Sequence, residues 1–419
     1  MTLVATTFKV LANYERKSLG MPELPMAIVP YPMGGVSTEE AVRRSLAALN
    51  EMITGLTVQP APAVTAKGKA GAGFDATMTL DDGSFDAVNR HFYEKRWGDG
   101  LPVIPPTPER VKHMLSSVNR APDDLVATIA PGFGAATVRH IAINAVLAGC
   151  RPDYLPVLIS TVAAIAAPEF NLQGIQATTN PAAVWIILNG PVAGRLGAAS
   201  GHNCLGQGNR ANATLGRALR LILQNVGGAL PGDMDRATQG QPAKYSFCCA
   251  ENEAESPWEP LHVERGFART ASTVTVVGTA GTTNMNTHAK DAADVIRVIA
   301  DTMAHPTSND YWIGGEPWLV ISPEHANIVR QGGYSKAAMK QALWEQSKMR
   351  AARMAAKDLA RTQIARRAEL GEIGPDTLLP IAPAPDSIGL IVAGGPGTHS
   401  VYVPSFGDTR AVTREIQAA

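Results

Sequence analysis

Cysteine is scarce in this 419-residue chain: Cys150, Cys204, Cys248 and Cys249 are the four it has. Four cysteines cannot staple a chain of this length, and their spacing matches no zinc motif. A disulfide scaffold and a zinc ribbon are thereby excluded, and a cytosolic, reducing compartment fits. An excess of charge of either sign is also lacking, since 37 Lys and Arg balance 37 Asp and Glu. Without a basic surplus, nucleic acid is not the expected main partner. Long hydrophobic runs are missing too. The longest apolar-rich stretch, Leu155–Ala167, is too short to span a bilayer. The opening residues, MTLVATTFKVLANYERK, carry no basic-then-apolar signal pattern, so membrane insertion is not expected. What remains is a chain with ordinary apolar content and a real core. A small molecule handled in a pocket is its expected partner.

The pattern along the chain predicts an α/β fold. Mixed or parallel sheets carry flanking helices, with a partial α/β unit preceding a large α/β body. Residues 1–60 read as helix Thr7–Leu19, strand Met26–Val29, a Pro-Gly turn, and a helix from Ser37 to about Met52. Ser37 and Glu40 form its capping box. One strand does not make a sheet, so this unit packs on the body or is completed by another chain. Residues 61–85 read as a linker followed by a small hairpin. The main body covers 86–332, with strands at Leu125–Ile129, Val184–Leu188, Tyr245–Cys249, Ser272–Val277 and Trp318–Ile321. Residues 333–372 are charged and alanine-rich and read as an exposed helical arm. Residues 373–419 return to the body through the strand Ile388–Val392.

Polar residues concentrate where strands end, and that is where α/β folds bind ligands. Ser200–Ala218 places one His, one Cys, two Arg, three Asn and four Gly between apolar segments. Cys204 precedes a helix start that would stabilise a thiolate, with His202 as a nearby base; alternatively Cys204 is a small buried hydrophobe. Arg210 and Asn212 suit an anion, and Gly206 and Gly208 permit close backbone approach. Arg217 reads as a structural ion-pair partner. Asn189 sits at the end of one strand. Asn284, Asn286 and His288 follow another, and His399 follows the last; His288 suits proton transfer. Read as extended chain, His262 and Glu264 share a face and, with Glu251, could take a divalent or transition metal. The alternative there is an acidic surface loop. No cofactor is otherwise indicated.

YPMGGVSTEEA, residues 31–41, resembles the later part of the UGSC family of selenoproteins and their cysteine homologues. That family carries a U-G-S-C or C-G-S-C motif on an α/β domain and an HPLGG-like loop further on. Tyr31 stands where the loop has histidine. From WGDGLPVIPPT onward the chain resembles a larger bacterial family found beside or fused to such proteins. ATTNPAAVWIILNGP, RANATLGRALRL, SPWEPLHVERGF and SPEHA carry this resemblance. No C-G-S-C occurs here. The resemblance therefore implies a split protein whose smaller subunit brings that motif. Three functions follow as expectations: thiol-dependent redox or addition–elimination chemistry on a small, anionic substrate; a metal-dependent lyase or hydrolase; or a non-catalytic scaffold subunit of a hetero-oligomer.

Overall fold

The computed structural model describes residues 1–33, 36–58 and 77–417. The first unit is a two-stranded parallel sheet with three helices. β1 (Thr2–Ala5) precedes α1 (Lys9–Ser18), and β2 (Met26–Val29) pairs with β1, Leu3 opposite Ala27. The second strand that the pattern seemed to lack is thus β1, four residues too short to show alternation. Ser37 accepts from the Glu40 N–H and starts α2 (Thr38–Ala47). The helix breaks at Ala48 and resumes as α3 (Leu49–Thr57), whose Glu51 caps the Ile28 N–H on the outer edge of β2.

The linker at 60–73 lies outside the described residues, as does the start of the expected hairpin. Its remainder is no hairpin: Ser84 caps α4 (Phe85–Glu94). Thr107 caps α5 (Pro108–Leu115), with proline at the first helical position. A hairpin of β3 (Leu125–Ile129) and β4 (Gly134–Thr137) leads into α6 (Val138–Ala148), then α7 (Leu155–Ile165) and α8 (Leu172–Gln176). Helices α6 and α7 are apolar on most sides and buried.

Two four-stranded sheets follow. Their strands are β5 (Ala183–Asn189), β6 (Cys248–Ala250), β7 (Thr273–Thr279), β8 (Thr283–Asn286), β9 (Trp318–Ile321), β12 (Gly389–Val392), β13 (His399–Val403) and β14 (Val412–Glu415). Between them run α9 (Pro191–Leu196), α10 (Arg210–Asn225), α11 (Leu261–Glu264), α12 (Ala292–Met303), α13 (Asn309–Ile313), α14 (Pro323–Gln331), α15 (Lys336–Gln346) and α16 (Ala356–Leu370). A short ladder of β10 (Met349–Arg350) and β11 (Leu378–Leu379) ties down the chain around α16.

The first sheet runs β14-β7-β5-β6 and the second β8-β13-β9-β12. In both, the last two strands are parallel and the other pairs antiparallel. The two halves therefore repeat one design. Each lends its fourth strand to the other: the chain leaves β7 to form β8 in the second sheet, and leaves β13 to form β14 in the first. Where these crossings meet, Thr279 bridges Ser405, and the Ala280 N–H donates to the Pro404 carbonyl.

The sheets pack face to face. Alternation decides which side each residue joins. Ile186, Leu188, Cys248, Val274 and Val276 meet α6, α7 and α10 in one core. Leu319, Ile321, Leu390 and Tyr402 meet α12, α14 and α15 in another. Trp185, Ile187, Cys249, Val277, Trp318, Val320, Ile391 and Val403 fill the space between the sheets. The result is four layers, helix–sheet–sheet–helix. β5 is buried along its whole length because both its faces are covered.

The 333–372 segment is an exposed arm only in part. Met339 and Leu343 of α15 enter the second core, and Arg366 of α16 is buried, donating to the Tyr311 and Pro380 carbonyls and to Glu369. Lys336, Lys340 and Arg366 are buried and paired, whereas Arg350, Lys357, Arg361 and Arg367 lie at the surface. Among the described residues no single helix is long and apolar enough to cross a membrane.

Candidate functional site

The 199–209 loop crosses the ends of the first sheet and is pinned by its own polar side chains. Asn212, buried on α10, accepts from the Ala199 N–H (2.9 Å) and donates to the Ala199 and Cys204 carbonyls (3.0 and 2.9 Å). Asn209 caps α10 and donates to the Gly197 carbonyl (2.7 Å). Asn203 adopts a left-handed conformation and donates to the Gln207 carbonyl (2.8 Å); Gly206 lies against its side chain. The loop rests on the glycine turn that follows β12. The Gly394 N–H donates to the Ser200 carbonyl (2.8 Å), and a Cβ on Gly395 would stand 2.1 Å from His202 Nδ1.

Cys204 is the buried end of this loop. Its thiol lies near the Cys249 thiol and the backbone N–H groups of Cys204, Gly394 and Leu205. The Cys249 thiol first, and those N–H groups after it, hold Cys204 below the ordinary thiol range despite burial. Cys249 shows the opposite shift: donation to Cys204 and burial push it well up. Burial is the main cause for the others, raising Cys150 to about 12 against a hydrogen bond to Thr214, and pushing Cys248 up with the help of Cys150. Cys248 and Cys249 are neighbours in sequence but face opposite sides of β6. An adjacent pair reads as core packing in the sequence; only the alternation separates the one that joins Cys204 between the sheets.

Two residues beyond Cys249, on the same face, stands Glu251. The separation along an extended chain is about 7 Å. Glu251 Oε2 accepts from Asn189 Nδ2 (2.6 Å) and the Leu261 N–H (2.8 Å). Glu253 Oε1 accepts from Asn189 (3.1 Å) and the Gly190 N–H (2.7 Å), and lies 3.8 Å from His262 Nδ1. Burial raises the Glu251 carboxyl above its ordinary range, against the lowering pull of Lys336 and of its own hydrogen bonds. Asn189 Oδ1, Glu251 Oε1, His262 Nδ1 and Thr273 Oγ1 are buried without a hydrogen-bond partner. Thr273 is the cross-strand partner of Asn189. Four such atoms at one strand end are unusual, because burial without a partner is costly.

The N-terminal unit stands apart from this chemistry. It exposes Leu3, Val10, Tyr14, Leu19, Leu46 and Leu56 among other apolar side chains. Residues 1–58 match the UGSC family. No curated protein and no solved structure matches the chain. The UGSC-like unit thus accounts for the first helices and strands, and the four-layer body with Cys204 lies beyond the match.

Other residues singled out by sequence take structural posts. Arg210 is no free anion clamp: it donates through Nε and Nη2 to the Gly149 carbonyl (3.1 and 2.9 Å), at the end of α6. Arg217 pairs with Asp99 (2.7 Å), as its helical position suggests. Gly208 is needed for its left-handed φ of 110°. Asn284 and Asn286 belong to an edge strand, not a loop. His399 Nδ1 lies 3.2 Å from Asn284 Oδ1, and Asn286 accepts from Thr398 (3.5 Å), all at the surface with His288. His262 and Glu264 are helical rather than extended, because Pro260 begins α11. Two helical positions apart, they point roughly 200° from one another. Glu264 is bound instead by Lys336 (2.6 Å) and Lys340. Among the described residues no group of three or more His, Cys, Asp or Glu side chains is placed to hold a metal ion.

Proposed function

We propose that this chain is an enzyme subunit performing thiol-dependent redox chemistry at Cys204, with Cys249 as the resolving thiol and Glu251 as proton donor. The observation carrying this reading is the Cys204 thiol buried beside the Cys249 thiol in one cluster between the sheets, the first shifted down and the second up. A lowered thiol beside a raised one is the arrangement of an attacking and a resolving cysteine. Cys204 Sγ attacks one sulfur of a small disulfide. The S–S bond breaks, and the departing thiolate takes the Glu251 proton. Cys249 then attacks Cys204 Sγ and gives its own proton to the second leaving thiolate. Two cysteine thiols are oxidised to a disulfide and the substrate disulfide is reduced to two thiols; two equivalents of an external thiol then reduce the pair and leave as a disulfide. His202 lies over Gly395 in the same loop.

Iodoacetamide labelling of the native protein with peptide mapping tests this. Cys204 is expected to label fastest, with a midpoint below that of an ordinary thiol, while Cys150 and Cys248 stay unlabelled. Equal protection of all four cysteines would sink the reading. Addition–elimination at carbon uses the same Cys204 but needs no resolving thiol. Activity surviving in Cys249→Ser would favour it over the redox cycle.

The exposed apolar face of residues 1–58 supports a second component of the proposal, a smaller subunit carrying a Cys-Gly-Ser-Cys motif. β1 has no strand on its outer edge among the described residues, and added strands there would cover that face. Co-elution of such a subunit, abolished by Leu3→Lys on β1, checks this. Intact activity of the assembled pair in Cys204→Ser would leave this chain a scaffold.

A further inference from the structure

A cavity of about 540 Å³ lies beside the second half of α10, beneath the 229–245 segment. Its volume is that of a small-molecule site. Arg220, Gln224, Asp235, Lys244, Tyr245 and Pro231 line it, with Asp99 at one side. The ionic bonds around it are uneven. Asp99 is held by Arg217 (2.7 Å) and Asp235 by Lys244 (2.6 Å). Arg220 is left as the lining cation without a carboxylate contact among the described residues. It makes one hydrogen bond, to Gln176 Oε1 (2.8 Å), of the five its guanidinium can donate. Burial lowers its pKa and the nearby Asp235 only partly offsets this, the sign of an undercompensated cation.

The unspent donors and the cavity belong together. We infer that the cavity binds a small organic monocarboxylate, with Arg220 taking the carboxylate and Tyr245 and Pro231 contacting its apolar body. Three cations, Arg217, Arg220 and Lys244, stand against two carboxylates, Asp99 and Asp235. One negative charge completes the balance. A phosphate dianion would overshoot it and meet Asp235 at close range. A guanidinium fork also matches a carboxylate in two parallel bonds. The site is separate from Cys204: Arg220 lies ten residues along α10 from its first residue, roughly 15 Å at helical rise. The inference does not rest on the thiol reading.

Titration calorimetry on the full chain decides the matter, using acetate, hexanoate and benzoate, the amide of each, and inorganic phosphate. At least one carboxylate is expected to bind at least tenfold more tightly than its amide and than phosphate. Arg220→Met is expected to remove that preference, with its circular dichroism and melting point showing whether it folds. If that variant does not fold, the comparison of carboxylate and amide on the native chain still decides. The preferred carboxylate should also raise the native melting point, since it binds only the folded state. Cys204→Ser should bind it as well as the native chain. No carboxylate binding, equal binding of the amides, tighter binding of phosphate, or unchanged preference in a folded Arg220→Met would each overturn the assignment.

Discussion

The two halves of the body share a strand order but not a chemistry. Trp185 on β5 and Trp318 on β9 hold equivalent places, and their rings meet edge to face at 5.9 Å between the sheets. Around them the halves diverge. Trp185 stacks on Phe247 (5.1 Å, 14°), whereas Trp318 lies against Gly389 at the matching position of β12. Beyond the tryptophans, the first half ends in Asn189 and Glu251, with buried atoms left unpartnered. At the matching end of the second half, Ser322 donates to the Gly397 carbonyl (2.7 Å), and His325 bonds Ser400 (2.8 Å) and the Thr287 carbonyl (3.0 Å). The strand end of the second half is hydrogen-bonded where that of the first leaves four atoms unpartnered, although the second half also buries Trp318 Nε1 and Ser347 Oγ without partners. Such unpartnered buried groups cost stability in either half.

The comparison can be broken at its hinge. Phe247→Ala removes the stacking partner of Trp185 and should cost about 4 kcal/mol, read by chemical denaturation. The second half carries its own burden in Asp310, a fully buried carboxyl bonded by Ser308, Tyr402 and Ser405. Burial raises it from 3.8 to about 6. A raised carboxyl favours folding while protonated, so its contribution is intact below pH 4 and fades as pH rises through 6. The loss amounts to roughly 3 kcal/mol by linkage. The melting point of the native chain relative to Asp310→Asn should therefore fall between pH 4 and 7. A constant difference would refute the shift.

Gly389→Ala tests the other tryptophan. Its new Cβ would stand 2.2 Å from Trp318 Cδ2, and indole and strand must shift, at about 2 kcal/mol. Glu251→Gln keeps the shape of the first-half cluster without its ionisation. The variant should gain on the native chain as pH rises, read by the difference in melting point, since the native carboxyl must then ionise while buried. The smallest effect is expected at the exposed β8–β13 edge: His399→Ala should change stability by less than about 0.5 kcal/mol. Loss of enzyme activity in that variant would restore the loop around His288 to the site.

Local chemistry was legible wherever one residue settles it. Ser37, Thr107 and Ser322 announce their helices, and WLVI at 318–321 is a strand in the sequence and in the structure. The repeat was not legible, because most matching positions carry different residues; the two tryptophans and the valines opposite them, Val277 and Val403, agree. Cys204 stood out through its glycine-rich surroundings. Cys249 did not, since which face of a three-residue strand is covered by a second sheet depends on segments some 70 to 140 residues away. Arg210 misled for a similar reason: the carbonyl that occupies it, Gly149, is 61 positions distant.

The exchanged fourth strands set the order in which this protein comes into being. The first sheet takes its edge strand from residues 412–415, about 140 positions after β7. Although most of that half is synthesised early, it cannot close until the second half has been made and has returned its strand. β8 binds the second half to the first in the same way. Neither half is therefore a separable domain, and a cut between β7 and β9 would yield two open sheets rather than two folded pieces. Such long-range pairing delays folding, and it makes the halves melt as one.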